Sequence, residues 1–223
     1  MTKWVEQAVL FFAWTALLLS PITMFIGHLG SHSLTWVQNQ ISTYAAQAPH
    51  DHWITAAMLL SALALLCIGL LVPAHSFYGQ NLWSRMIAMV LGAAAAGLLL
   101  IAGFEETAPN LKLLQNVGFS AVRQQSFHDA GLLLFFYSAL LALMMSGLII
   151  LTKGPDLLQR FQGLLISLCG PVAFLSLTTA WPHYIGFSGM TAGLKQRVAF
   201  LCLGFGFGLI LFLMTKSGKA DTL

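Results

Sequence analysis

The sequence predicts an all-α integral membrane protein, a six-helix bundle forming one domain over residues 1–223 with both termini cytoplasmic. Three observations carry that expectation. The 223 residues are 58% hydrophobic and 8% charged, against roughly 25% charged in soluble domains. Mean hydropathy is +0.81, and one soluble core of this size could not hide so much apolar surface. Six apolar runs are each long enough for about 30 Å of hydrocarbon, which takes about 20 helical residues.

The runs fall at about 5–29, 53–73, 84–104, 127–151, 161–181 and 194–215. The first lacks an A-x-A cleavage site and continues past Pro21, so it reads as a retained span and not a signal peptide. The second follows "HDHW" without a charge in its interior. The third ends at "GFEETAPN", 103–110, where two adjacent carboxylates meet the interface. The fourth opens at "SFHDAG", 126–131, where Ser126 and Asp129 have capping-box spacing. The fifth contains Pro171, a predicted kink like Pro21. It ends at "TTAWPHY", 178–184, where Trp181, His183 and Tyr184 suit an aromatic belt. The sixth opens at "GLKQR", 193–197, and carries Gly204 and Gly208 at a spacing that predicts close helix packing.

Lys and Arg counts orient the bundle. With the N-terminus inside, the cytoplasmic segments hold Lys3, Arg85, Lys153, Arg160, Lys216 and Lys219. The outer segments hold Lys112, Arg123, Lys195 and Arg197. The first outer loop, 30–52, has no Lys or Arg at all. The expected location is therefore the cell inner membrane, as a multi-pass protein. A net charge of +3, scattered along the chain, offers no basic patch for nucleic acid. Cys67, Cys169 and Cys202 lie inside apolar runs without metal-ligand spacing and read as small core residues.

This orientation gathers the titratable groups at one face. His28, His32, His50, His52, His128 and His183 fall outside, as do Asp51, Glu105, Glu106 and Asp129; only His75 is cytoplasmic. His128 shares a helix face with Gly131, Phe135, Ser138, Ala142 and Ser146. Small residues mark bundle-facing surfaces, so His128 is expected to point inward. Asp129 shares its face with Leu132, Leu133, Phe136 and Leu140, an oily surface, and reads as a cap.

Candidate catalytic residues are His128 as general base, Glu105 or Glu106 as its orienting group, and Ser42 from the first loop. Arg197 is the candidate ligand-binding residue, since a guanidinium grips a carboxylate or phosphate in bidentate fashion. Interfacial snorkelling is the plain alternative for Arg197, and satisfying a loop carbonyl is the plain alternative for His128. His50, His52 and His128 are the candidate metal ligands, and zinc the candidate metal. An alternating H-x-H on a loop is a nonspecific signal, and tight sites need three or four ligands.

Four short motifs, "ISTYA", "GFEE", "FHDAG" and "GLKQR", together resemble the DUF998 family of six-span prokaryotic membrane proteins. The resemblance covers most of the chain in layout. It implies the six-span fold but no activity. Thr43 follows Ser42 where that family often has an acidic residue. The layout is also loosely similar to membrane hydrolases of the alkaline ceramidase and progestin-receptor type, which combine Ser, Asp and His with zinc. Those carry H-x-x-x-H in the last span, which this chain lacks.

Two functional classes follow. One is a binding, sensing or accessory subunit, with a polar His/Glu/Arg network at the outer face and a partner membrane subunit or an amphiphile as ligand. The other is a membrane-embedded, metal-dependent hydrolase acting on a lipid or amphiphile. A transporter fits less well, because no span carries a charge near its middle.

Overall fold

The computed structural model describes residues 1–29, 51–75, 78–104, 119–177 and 192–220. Among them the chain is all-helical, and six helices are long and apolar enough to cross a membrane. They are α1 (Lys3–His28), α2 (Asp51–Leu71), α3 (Leu82–Gly103), α4 (Phe119–Lys153), α5 (Leu157–Leu177) and α6 (Ala192–Ala220). A 3-10 turn, Val72–Ala74, follows α2. Each predicted span overlaps one of these helices, with ends displaced by a few residues except at the start of α4, which lies at Phe119 where 127 is expected.

Local chemistry sets several of those ends. Asn81 and Ser84 form a reciprocal capping box at the start of α3, so each meets a backbone N–H that the first turn leaves open. Asp156 Oδ1 accepts from Gln159 N at 2.7 Å, capping α5. Both short connections lie at the end of the bundle that carries the chain termini, here the terminal end; the opposite end is the distal end.

One expected cap is not there. The fourth helix begins at Phe119, so Ser126 and Asp129 lie inside it. Asp129 accepts from Gln125 Nε2 at 2.8 Å, an i,i+4 pair on a continuous helix. The stretch "AVRQQ", 121–125, consists mostly of good helix formers and carries the helix past the hydrophobic run. Its 35 residues span about 52 Å at 1.5 Å each, more than the ~30 Å hydrocarbon core needs.

The helices pack in chain order. α1 lies on α2, α2 on α3, α3 on α4, α4 on α5 and α5 on α6, while α6 touches α1 only lightly. Two crossings are close enough for backbone to meet backbone. A Cβ on Gly97 of α3 would lie 2.7 Å from the Gly131 carbonyl of α4, and one on Gly131 would lie 2.8 Å from the Gly97 carbonyl. A Cβ on Gly147 would lie 2.6 Å from the Gly163 carbonyl of α5, and the reverse contact is 2.8 Å. Small residues drive helix association in lipid because they let dispersion and weak backbone contacts accumulate.

Gly204 and Gly208 do not form such a crossing. A Cβ on Gly204 would meet nothing within 4 Å, and one on Gly208 only Leu17 Cδ2 at 3.8 Å. Leu201, on the same face, is 69% exposed. The tight position on α6 is Gly206, against Leu143 Cδ2 at 2.9 Å and Cys169 Cβ at 3.1 Å. Leu203, Phe207 and Ile210 flank it in the core. Gly206→Leu is therefore expected to cost about 1–3 kcal/mol through overpacking. Gly208→Leu should stay within about 0.5 kcal/mol of wild type. Thermal unfolding in detergent measures both.

The core holds Leu91, Leu98, Phe135, Leu143, Ile166 and Leu211 among many others, with Cys67 and Cys169 as buried free thiols. Cys202 is also free and partly buried. Large apolar side chains such as Phe11, Phe25, Leu70 and Met89 face outward, as lipid-contacting positions of a bundle do.

Candidate functional site

The distal end of the bundle is built on an aromatic floor. Phe135 and Phe136 of α4 meet Phe200 of α6, with ring centroids 5.4 and 5.6 Å apart. His128 lies two turns beyond Phe135 on the same helix face, about 10 Å further along at 1.5 Å per residue. Arg197 lies three residues beyond Phe200. Both polar groups therefore sit distal to one apolar layer, on different helices.

His128 is 2% exposed. Gly131, Phe135, Ala142 and Ser146 on its face are buried too, and Ser138 is half-buried. Its Nδ1 lies 2.7 Å from the Phe104 carbonyl just past the end of α3. A carbonyl only accepts, so Nδ1 carries the proton. Nε2 is buried with no hydrogen-bond partner among the described residues. Nε2 is thus the ring nitrogen left facing away from that carbonyl. Phe104 is pinned from a second direction: its ring stacks on Phe127 at 4.8 Å, and Arg123 lies over the other ring's centroid at 5.7 Å.

Among the described residues, two acceptors hold Arg197. Nη1 donates to the Gly193 carbonyl at 2.9 Å, and Nη2 donates to His28 Nε2 at 2.5 Å. His28 Nδ1 in turn lies 2.5 Å from the Met24 carbonyl. That carbonyl accepts from Nδ1–H, so Nε2 is the nitrogen that accepts from the guanidinium. The pair fixes the distal end of the otherwise light α1–α6 seam. Trp14 Nε1 donates to Thr215 Oγ1 at 3.1 Å further toward the terminal end. Two more polar side chains, Gln125 and Gln196, are buried at the distal end.

The other sequence candidates divide by position. Ser42, His50, Glu105 and Glu106 lie outside the described residues. α3 stops at Gly103, before the two glutamates, so an argument from helix faces does not reach them. His52 sits in the first turn of α2 with its side chain 66% exposed, 3.6 Å from Asp51 Oδ1. Among the described residues no three His, Cys, Asp or Glu side chains converge as a metal site would need.

The sequence reading missed the role of His28. His28 is not among the sequence candidates, yet its described partner is Arg197, 169 residues away. The available signal was topological: in a ring of six antiparallel helices the end of the first meets the start of the last.

A family model described as "Protein of unknown function (DUF998)" matches residues 14–213. The chain belongs to the DUF998 family. The match runs through all six helices and takes in His28, His128 and Arg197. Neither a curated protein nor a solved structure matched the chain. This DUF998 protein is thus a polytopic helical membrane protein, and its activity has to be argued from the distal end itself.

Proposed function

We propose that the protein binds an anionic amphiphile whose head group carries a hydrogen-bond donor, acting as a binding, sensing or accessory subunit. The observation that carries this reading is the buried Nε2 of His128, which no described residue meets. A buried acceptor left unmet costs about 1–3 kcal/mol, which a hydroxyl or ammonium donor recovers on binding. Arg197 supports the anionic half: a guanidinium already fixed by His28 and Gly193 loses little freedom when it grips a phosphate or carboxylate. Glu105 or Glu106 and Ser42 complete the site in this reading, and a partner membrane subunit is its natural recipient.

The test is lipid retention. Wild-type protein, isolated gently, should carry anionic lipid in native mass spectrometry, and Arg197→Gln should retain at least fivefold less. Equal retention by both would sink the reading.

A second reading, a lipid hydrolase, draws on the same nitrogen. An imidazole held at Nδ1 by a carbonyl, with Nε2 met by no described residue, presents the nitrogen that a general base or a metal ligand uses. A borderline cation such as zinc suits that donor, with His50 and His52 as the further ligands and Ser42, Glu105 and Glu106 around it. The described His52 is exposed and the described residues offer no second ligand beside His128, so we place this reading second. Elemental analysis showing stoichiometric zinc in purified protein would reverse the order.

The distal end is the outer face of the inner membrane in both readings. The Lys/Arg-free 30–52 segment and the six cationic residues of the terminal end support it. Reporter fusions after Asp156 should be active only as cytoplasmic fusions. A periplasmic signal there would turn the protein over.

A further inference from the structure

The ring of helices closes unevenly around α1. On one side α1 is fastened to α2. Ser20 Oγ donates to the Ala57 carbonyl at 3.0 Å and meets Ser61 Oγ at 2.7 Å, and a Cβ on Gly27 would lie 2.6 Å from Ile54 Cγ1. On the other side α1 touches α6 only lightly. Among the described residues, the polar contact joining the distal half of that seam is the His28–Arg197 hydrogen bond. We propose that this bond is a proton-released latch, and that acidification on the distal side parts α1 from α6 toward the lipid. The latch works with or without an amphiphile at the distal end.

Packing does little to hold the distal half of this seam. A Cβ on Gly208 of α6 would meet only Leu17 of α1, at 3.8 Å, and one on Gly204, a turn nearer Arg197, would meet nothing within 4 Å. Toward the terminal end the seam is closed by Trp14 Nε1 and Thr215 Oγ1, 3.1 Å apart, and neither group titrates in the physiological range. A change of charge at His28 therefore acts on one half of the seam and spares the other.

The bond needs a neutral imidazole. His28 Nδ1–H donates to the Met24 carbonyl, so Nε2 accepts from Arg197 Nη2. A proton on Nε2 turns that acceptor into a donor and sets an imidazolium against a guanidinium. Arg197 does not yield its own proton at these pH values, and like charges in contact repel. The helices packed on α1 do not relieve this. From α6, Lys195 adds a second positive charge near Arg197. From α2, His52 and Asp51 stand at the same end, and Asp51 Oδ1 accepts from His52 N at 2.6 Å and lies 3.6 Å from its ring. Parting the helices lets water receive the new N–H, as in other histidine switches. One proton taken up on opening, by an imidazole that titrates near 6.5 once solvated, raises the open-to-closed ratio about 30-fold between pH 8 and pH 5.

Double electron–electron resonance in phosphatidylcholine nanodiscs tests this. Nitroxides are carried on p-acetylphenylalanine in place of Phe25 of α1 and Leu201 of α6, both exposed. That label leaves the native cysteines untouched, and the zwitterionic bilayer keeps anionic lipid away from Arg197. From pH 8 to pH 5 the ratio of long to short distances should rise at least tenfold. A second label pair at the exposed Phe12 and Phe212, near Trp14 and Thr215, should not move. His28→Gln keeps an acceptor for the guanidinium at either pH, so its distances should not respond to pH. A wild type that does not respond would overturn the latch. Equal lengthening at Phe12 and Phe212 would overturn it too, as would a pH response that persists in His28→Gln. Should His28→Gln not fold, Arg197→Gln replaces it, because its amide accepts from a protonated His28. The pH response should vanish there, and one as large as the wild type's would overturn the proposal.

Discussion

Replacing Gly147 with leucine is expected to keep the α4–α5 hairpin from closing. Its Cβ would lie 2.6 Å from the Gly163 carbonyl, and a backbone atom cannot rotate away as a side chain can. The helices would have to part along a crossing that also involves Leu151 and Ser167. Ordinary overpacking costs about 1–3 kcal/mol and occasionally more; two backbones in contact put this site at the upper end or beyond it. Gly163→Leu should behave alike, because the contact is mutual. Gly92→Leu is the control, since a Cβ there meets nothing within 4 Å. Size-exclusion profiles and thermal unfolding of the three variants decide the matter. A Gly147→Leu protein as stable as the Gly92→Leu protein would mean that the two helices do not cross in this way.

His128 is expected to split into a structural half and a binding half. Its Nδ1–H satisfies the Phe104 carbonyl at 2.7 Å, while its Nε2 meets no group among the described residues. Asparagine places an amide N–H near the position of Nδ1 and has nothing at the position of Nε2. His128→Asn should therefore unfold within about 1 kcal/mol of wild type, since it keeps the hydrogen bond. It should lose at least tenfold in retention of the proposed amphiphile. His128→Leu should lose both, with about 1–3 kcal/mol of stability going with the orphaned carbonyl. Full retention by a stable His128→Asn protein would make the histidine a clamp on the end of α3 and nothing more. The outcome does not depend on whether Arg197 binds the anion, so the two halves of the proposed site can fail separately.

The site was legible only in part. That His128 lies on the buried face of α4 followed from the small residues at Gly131, Ala142 and Ser146, which repeat with the helix. That Arg197 lies at the start of α6 followed from the end of an apolar run. Its pairing with His28 was not legible, because residues 169 positions apart meet only once the ring of helices closes. Asp129 misled for a local reason. Ser126-x-x-Asp129 has the spacing of a cap, but spacing alone does not say whether the preceding residues are helical, and here they are.

The sequence by itself determined that there are six spans and nearly where each lies, because crossing hydrocarbon is a property of one segment. Every backbone group must be bonded within the helix, and about 20 apolar residues suffice. Only the tertiary structure decided which face of each span meets protein. Gly204 and Gly208 read as a packing motif and yet stand open, while Gly206, Gly97, Gly131, Gly147 and Gly163 carry close contacts. In water, apolar residues would have marked the buried face. In a bilayer the lipid tails are as apolar as the core, so hydropathy does not separate the two. What separates them is the fit of one helix surface against another, and that exists only when both helices are in place.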